Sequence, residues 1–205
     1  MRPLTIGLTG GIAAGKSEAL RAFERLGAAT VSSDAIVHEM LDREPLLGAL
    51  LERWGEDVAP GGRADRKRIG EIVFADPDEL AWLEAQVHPL VGGRIAEWLG
   101  ALPPEVRVAV VEVPLLFESE MEGAFDTTVS IHTADHVRSA RAESRGHALV
   151  GEREARQLGQ AEKARRADHV VHNEGTIEDL ERELSALIET LTRPPRGTGR
   201  DRDPS

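Results

Sequence analysis

The chain has 205 residues, a length that allows one well-buried core with a small appended subdomain but not two full-sized domains. A formal charge of -11 provides no general basic field, which argues against a protein that coats nucleic acid. Any site that binds phosphate therefore has to be local. The sequence contains no cysteine, which excludes disulfides and thiolate chemistry, and no apolar run approaches the roughly 20 residues that cross a bilayer. We therefore expect a soluble cytoplasmic protein without nucleic acid or membrane partners.

The first predicted elements are a strand, a helix and a second strand. Residues 4–9 form a short apolar run that suits a buried parallel strand, and residues 17–26 repeat apolar side chains at helical spacing before Gly27. Residues 28–31 read as the second strand, and Asp34 lies just past its carboxyl end. Ligands of open parallel sheets bind at that edge, which makes Asp34 a candidate site residue.

The rest of the chain continues the alternation of helices and strands. Residues 35–102 have a helical pattern with breaks at Pro45, at residues 59–62 and near Pro77, which predicts a helical insert. Arginine-rich helices precede the last predicted strand, and an amphipathic helix follows it. The three further strands are predicted over 106–113, 127–131 and 169–171, and the closing helix over 177–191.

This alternation predicts an α/β fold with a mostly parallel, five-stranded sheet flanked by helices and right-handed crossovers. The pattern does not determine the order of the strands. We predict one domain over residues 1–192 and a disordered tail over 193–205, because the tail is rich in Pro, Gly, Arg and Asp and lacks apolar residues other than proline.

A phosphate-binding motif joins the first strand to the first helix. Gly10, Gly15, Lys16 and Ser17 fill the pattern G-x-x-x-x-G-K-[ST] in the strand-loop-helix context that it requires. Backbone N–H groups of such a loop hold phosphate oxygens, Lys16 would reach the β- and γ-phosphates, and the Ser17 hydroxyl would ligate Mg²⁺. The alternative is a glycine turn that only caps a helix. The motif predicts binding of a nucleoside triphosphate.

Other residues favour a small-molecule kinase over a GTPase switch, whose Asp-x-x-Gly and Asn-Lys-x-Asp strings are absent from the sequence. Asp34 could accept a proton from an attacking hydroxyl or orient it, and could alternatively cap a helix that begins at Ala35. Arg138, Arg141 and Arg145 share one helix face and suit phosphate oxygens, although a solvated charged face has the same spacing.

Two acids flank a rigid apolar turn after the predicted strand 106–113. Glu112 could bind Mg²⁺ through water and Glu118 could contact the acceptor, while either could equally be a solvated acid. His88 lies in a helical pattern, where a lone histidine is more often structural. The pairs His132/His136 and His169/His172 lack a matching third ligand in a helical context, so we expect no metal site from them.

Taken in order, these strings resemble the dephospho-CoA kinase family collinearly over residues 4–191. The more specific ones are VHPL at 87–90 and VPLLFE at 113–118, while the loop alone is generic. The resemblance implies a P-loop NTPase-type fold with a helical acceptor-binding insert at 35–102 and a lid at 138–163. It also implies transfer of the ATP γ-phosphoryl group, with Mg²⁺, to the ribose 3′-hydroxyl of dephospho-CoA.

The resemblance also assigns roles to individual residues. The catalytic residues that it implies are Lys16, Asp34 and Arg141. The ATP-binding residues are Gly11, Ile12, Ala13, Ala14, Gly15, Lys16, Ser17, Glu18, Arg145 and Asn173, with Asn173 near the adenine. The acceptor-binding residues are Asp34, Arg66, His88, Pro114, Leu115, Leu116 and Glu118. The metal would be held by Ser17 and, through water, by Glu112.

Some positions depart from the family pattern, and some alternatives stay open. Ala13 and Ala14 replace a usual Gly-Ser, Glu112 replaces a common Asp, and the segment between Arg145 and Arg153 is a few residues short. A nucleoside or nucleoside-monophosphate kinase would share the loop, sheet and lid, and an ATP-gated binding module would share the loop. The partners that we expect are ATP and dephospho-CoA; the sequence leaves the oligomeric state open and is compatible with a monomer.

Overall fold

The structure, a computed structural model, describes residues 2–138 and 157–193. Within these residues five parallel strands form one sheet in the order β2-β3-β1-β4-β5. The strands are β1 (Leu4–Gly10), β2 (Ala29–Ser32), β3 (Val108–Glu112), β4 (Thr127–His132) and β5 (His169–His172). The predicted α/β fold with a parallel five-stranded sheet is confirmed, and the structure adds the strand order.

The buried apolar strands bring their carboxyl ends and the phosphate-binding motif to one edge of this sheet. β1 lies in the centre, and every residue of β3 is buried, as its β-branched sequence predicts. The parallel register aligns Leu8 with Glu112, and Ser32 also with Glu112. The carboxyl ends of β1, β2 and β3 therefore meet at the edge where the phosphate motif begins.

Helices pack on the sheet through two hydrophobic clusters. Among the described residues, seven α-helices have both ends described: α1 (Lys16–Arg25), α2 (Ser33–Met40), α3 (Leu46–Trp54), α4 (Arg66–Ala75), α5 (Pro77–Gly100), α6 (Gln160–Arg166) and α7 (Ile177–Thr192). A further helical turn occupies residues 135–138. One cluster joins the sheet to α1 and α7 through side chains such as Phe23 and Leu184. The other cluster packs the helices α2, α3, α4 and α5 on the sheet through Val111 and Val113. None of the described helices is long and apolar enough to span a bilayer.

The segment between β2 and β3 contains four of these helices, separated at the predicted breaks. Pro45 precedes α3, two 3-10 turns occupy residues 56–62, and Pro77 begins α5 after Asp76 accepts a hydrogen bond from the Asp78 amide. Each break has the residue type that ends or starts a helix. The division into a domain with an insert, a lid and a tail stays a prediction, because residues 139–156 and 194–205 lie outside the described residues.

Candidate active site

The loop between β1 and α1 has the backbone curl that a phosphate cradle needs. The φ angle is positive at Gly10 (151°), Ala13 (60°) and Gly15 (94°), so the chain turns repeatedly through the left-handed region. A Cβ atom added at Gly10 would lie only 2.6 Å from the carbonyl oxygen of Ile131, so this position requires glycine. Ala13 adopts a positive φ angle although it lacks the conformational freedom of glycine. This indicates that contacts with the rest of the protein hold the loop in place.

Buried hydrogen bonds provide that support. The carbonyl oxygen of Ala14 accepts from the Thr133 hydroxyl at 2.8 Å and from the Asn173 side-chain amide at 2.9 Å. Gln160 donates in turn to the Thr133 carbonyl oxygen at 2.8 Å. Thr133 is fully buried and Asn173 nearly so. These bonds fix the loop in one conformation, which lowers the cost of ordering it around a ligand.

The ammonium of Lys16 lies over the loop. Its Nζ donates to the carbonyl oxygens of Gly10 and Gly11, both at 3.0 Å. Burial lowers the pKa of Lys16 below its ordinary value; the charges of Glu112, Asp34 and Glu118 oppose this shift, and that of Lys163 adds to it. Lys16 is thus within electrostatic reach of three carboxylates at the carboxyl edge of the sheet.

Two of these carboxylates line the edge beside Lys16. Glu112 ends β3 and is buried, and burial raises its pKa; nearby Asp34 adds to the rise, while Lys16 and a hydrogen bond from Ser32 lower it. Asp34 is exposed in the first turn of α2, which begins at Ser33. Asp34 therefore does not cap a helix that begins at Ala35, because Ser32 occupies the cap position. Its carboxylate is left accessible.

A buried lysine connects the turn after β3 to the start of α6. Lys163 is fully buried; its Nζ donates to the Pro114 carbonyl oxygen and lies 2.9 Å from Glu118 Oε1. The same carboxylate oxygen accepts from the Leu158 amide at 2.7 Å. Burial lowers the pKa of Lys163, and the Glu118 carboxylate opposes this shift. Glu118 therefore has a structural partner beside the active-site edge.

Comparison with known proteins agrees with this geometry. Residues 4–179 match the family model of dephospho-CoA kinase. The chain belongs to the dephospho-CoA kinase family. A dephospho-CoA kinase of Thermosynechococcus vestitus is 36% identical over 203 residues, which cover 96% of this chain and 98% of the relative.

Solved structures resemble this member of the dephospho-CoA kinase family over most of its length. TT1252 from Thermus thermophilus has a TM-score of 0.80 at 34% identity, covering 94% of this chain and all of that one. A dephospho-CoA kinase from Campylobacter jejuni has a TM-score of 0.67 at 28% identity, covering 91% and 96%. The predicted family and P-loop fold class are confirmed.

The acceptor-side residues that the dephospho-CoA kinase resemblance assigns differ in their accessibility. Arg66 begins α4 and is exposed, and His88 is exposed on α5. In the turn after β3, Leu115 is partly exposed but Leu116 is fully buried in the cluster with the insert helices. The Leu116 side chain therefore supports the turn from below, and Leu115 is the one that faces outward.

The residues that the resemblance assigns to ATP binding include accessible residues, one residue in ion pairs, and residues outside the described part of the chain. Ser17 is exposed at the start of α1, and Ile12 and Ala13 are partly accessible in the loop. Glu18 forms ion pairs with Arg21 and Arg25, which are its partners on the surface of the kinase. Arg141 and Arg145 lie outside the described residues, so their roles stay predictions.

Three residues that support the candidate site are not predicted from the sequence. Thr133 and Gln160 support the phosphate loop, and no local pattern distinguishes them from other polar residues. Lys163 did carry a signal, because it is one of only three lysines in a chain whose other basic residues are arginines. Its partners Pro114 and Glu118 lie more than 40 residues away, so only the fold reveals the contact.

Proposed function

We propose that this site transfers the γ-phosphoryl group of ATP to the ribose 3′-hydroxyl of dephospho-CoA, giving coenzyme A and ADP. The observation that carries the proposal is the ammonium of Lys16, held over a braced phosphate loop with Asp34 and Glu112 within electrostatic reach. A phosphoryl-transfer site needs a cation for the transferring group and a carboxylate for the attacking hydroxyl at the same place. Membership of the dephospho-CoA kinase family supports the choice of acceptor.

The donor side uses the loop and the start of α1. Backbone N–H groups from Gly11 to Ser17 hold the phosphates, and the positive end of the α1 dipole attracts them. The exposed Ser17 hydroxyl and the carboxylate of Glu112 are oxygen donors, the type that Mg²⁺ prefers, with Glu112 acting through water. Bound there, Mg²⁺ would neutralise charge on the β- and γ-phosphate oxygens. Lys16 exchanges its loop carbonyl partners for those oxygens.

The acceptor side uses Asp34 and the insert. The accessible carboxylate of Asp34 orients the ribose hydroxyl and accepts its proton as the phosphoryl group arrives. Arg66, His88, Leu115 and the Pro114 turn hold the remainder of the acceptor. Binding energy from these remote contacts aligns one hydroxyl with the γ-phosphate, so a truncated acceptor loses rate as well as affinity. Arg141 and Arg145 complete the site from the predicted lid.

The experiment that tests the proposal compares acceptors. ADP release is measured with Mg²⁺-ATP and dephospho-CoA, AMP or adenosine at matched concentrations, and ³¹P NMR locates the new phosphate. We expect kcat/KM for dephospho-CoA to exceed the other two by at least about 10²-fold, with the phosphate on the 3′ oxygen. Equal turnover of AMP would instead support a nucleoside-monophosphate kinase. ATP binding without acceptor-dependent ADP release would support a binding module.

A further inference from the structure

The parallel register of β4 and β5 pairs two histidines that are 40 residues apart in the chain. His132 and His172 are register partners at the carboxyl ends of these strands. Their ring centroids lie 5.4 Å apart with an interplanar angle of 62°. Spacing along the chain pairs His132 with His136 and His169 with His172, and does not bring these two rings together. The sheet supplies the pairing that local spacing lacks.

A carboxylate completes a three-residue group at this position. The ligand atoms of His132, His172 and Glu174 all lie within 4.8 Å of one another. By geometry, some point then lies within about 2.8 Å of all three atoms, and metal-ligand bonds of about 2.0–2.2 Å require each atom to approach by roughly 0.7 Å. Rotation about side-chain bonds provides movements of that size. Two imidazoles and one carboxylate form a known three-ligand set for zinc.

The environment of these residues favours an occupant. The Nδ1 atom of His132 is buried and has no hydrogen-bond partner among the described residues, a state that buried polar atoms rarely keep. The backbone around it is fixed, because the Asn173 amide donates to the His132 carbonyl oxygen at 2.8 Å. The His172 amide donates to Glu183 at 3.0 Å. The two histidine side chains thus start from well-held backbone positions.

We propose that His132, His172 and Glu174 bind a divalent ion of the zinc type, separate from the Mg²⁺ that accompanies ATP. Imidazole ligands select zinc, cobalt and nickel over magnesium, which prefers oxygen. Three protein ligands leave a fourth position for water. Because Asn173 lies between two of the ligands and donates to the Ala14 carbonyl oxygen, the ion would also stiffen the support of the phosphate loop.

The test titrates the full chain with Zn²⁺ in the absence of nucleotide, by calorimetry, and with Co²⁺, whose absorption bands report imidazole ligation. We expect one ion per chain, unaffected by excess Mg²⁺. His172→Ala should weaken binding by at least about 10-fold, and Glu174→Gln by a smaller factor. His169→Ala, at the other end of the same strand, is the matched control and should bind as the unaltered chain does.

The outcomes separate clearly. Similar affinity in His172→Ala and His169→Ala would overturn the proposal, as would failure of the unaltered chain to bind Zn²⁺ in one-to-one ratio. Circular dichroism establishes that each variant is folded, and Glu174→Gln, an exposed change, keeps the test valid if His172→Ala unfolds. Because binding is measured without ATP or acceptor, this result does not depend on the proposed kinase activity.

Discussion

The two edges of the sheet treat their charged groups in opposite ways. At the amino edge, where the strands begin, the Asp126 carboxylate accepts hydrogen bonds from Arg2 and Thr5. The Asp168 carboxylate accepts hydrogen bonds from the backbone amide and the hydroxyl of Thr128. The Arg2 hydrogen bond, with those from Thr5, lowers the pKa of Asp126 to about 2, and hydrogen bonds from Thr128 lower that of Asp168. Both carboxylates are stabilised in their charged form.

At the carboxyl edge, burial acts against charge. It lowers the pKa values of Lys16 and Lys163 and raises that of Glu112. Groups that are desolvated in this way cost folding free energy, and such groups are enriched at functional sites. We therefore expect the amino edge to contribute mainly to stability and the carboxyl edge mainly to binding and catalysis. Substitutions at the two edges should therefore affect different measurements.

The largest expected effect is that of Lys16→Ala. Removal of the ammonium from the transferring phosphoryl group should lower kcat/KM by about 10³-fold, while the melting temperature stays nearly unchanged because a desolvated charge is removed with it. Steady-state kinetics and thermal melts provide the two measurements. Lys67→Ala, on the exposed surface of α4, is the matched control. Unfolding of Lys16→Ala would show that this lysine is structural and would break the comparison.

Asp34→Asn should have the next largest effect. Asparagine keeps the shape but cannot accept a proton, so turnover with dephospho-CoA should fall by about 10²-fold. The affinity for ATP should stay within about two-fold, since the donor side is unaltered. Glu39→Gln, an exposed change on the same helix, should leave both unchanged. Near-normal turnover of Asp34→Asn would remove the carboxylate from the chemistry.

At the opposite edge, Asp168→Ala should reduce stability and spare turnover. It leaves the buried Thr128 amide without its 2.8 Å acceptor, at a cost of about 2 kcal/mol, which should lower the melting temperature by roughly 4–8 °C. Asp168→Asn retains an acceptor oxygen and should cost less. A large fall in kcat at temperatures where the variant is folded would contradict the separation between edges.

The smallest expected effect concerns acid stability. The pKa of Asp126 is about 2 in the folded chain, below its ordinary value of 3.8, so its stabilisation is complete above about pH 4 and is lost as the pH falls toward 2. Solvent exposure reduces the contribution to about 1 kcal/mol. Urea unfolding of Asp126→Asn should show a flatter dependence on pH across this range. Glu52→Gln should keep the slope of the unaltered chain.

The sequence predicts local elements well because their signals are local. The β-branched run of β3 and the glycines around Lys16 indicated the strand and the loop directly. The alternation of helices and strands indicated the α/β sheet, and the family strings indicated its P-loop type. The strand order was beyond it, because β1 pairs with β3 and β4 through contacts more than 100 residues apart. The partners of Thr133, Lys163 and His132 were missed for the same reason. α2 begins at Ser33, two residues before Ala35, because Ser32 at the end of β2 has the extended conformation of a helix cap.

The contacts of Lys163 also bear on which substitutions this chain tolerates. The chain carries its side-chain positive charge almost entirely on arginine, and its three lysines are Lys16, Lys67 and Lys163. Lys16 and Lys163 are the two lysines whose ammonium groups donate to backbone carbonyl oxygens. A guanidinium is planar and carries five N–H donors in a fixed geometry. The few carbonyl oxygens around each of these lysines cannot accept from all five donors. Exchange of lysine for arginine, mild over most of the surface, is therefore expected to be among the least tolerated changes at these two positions.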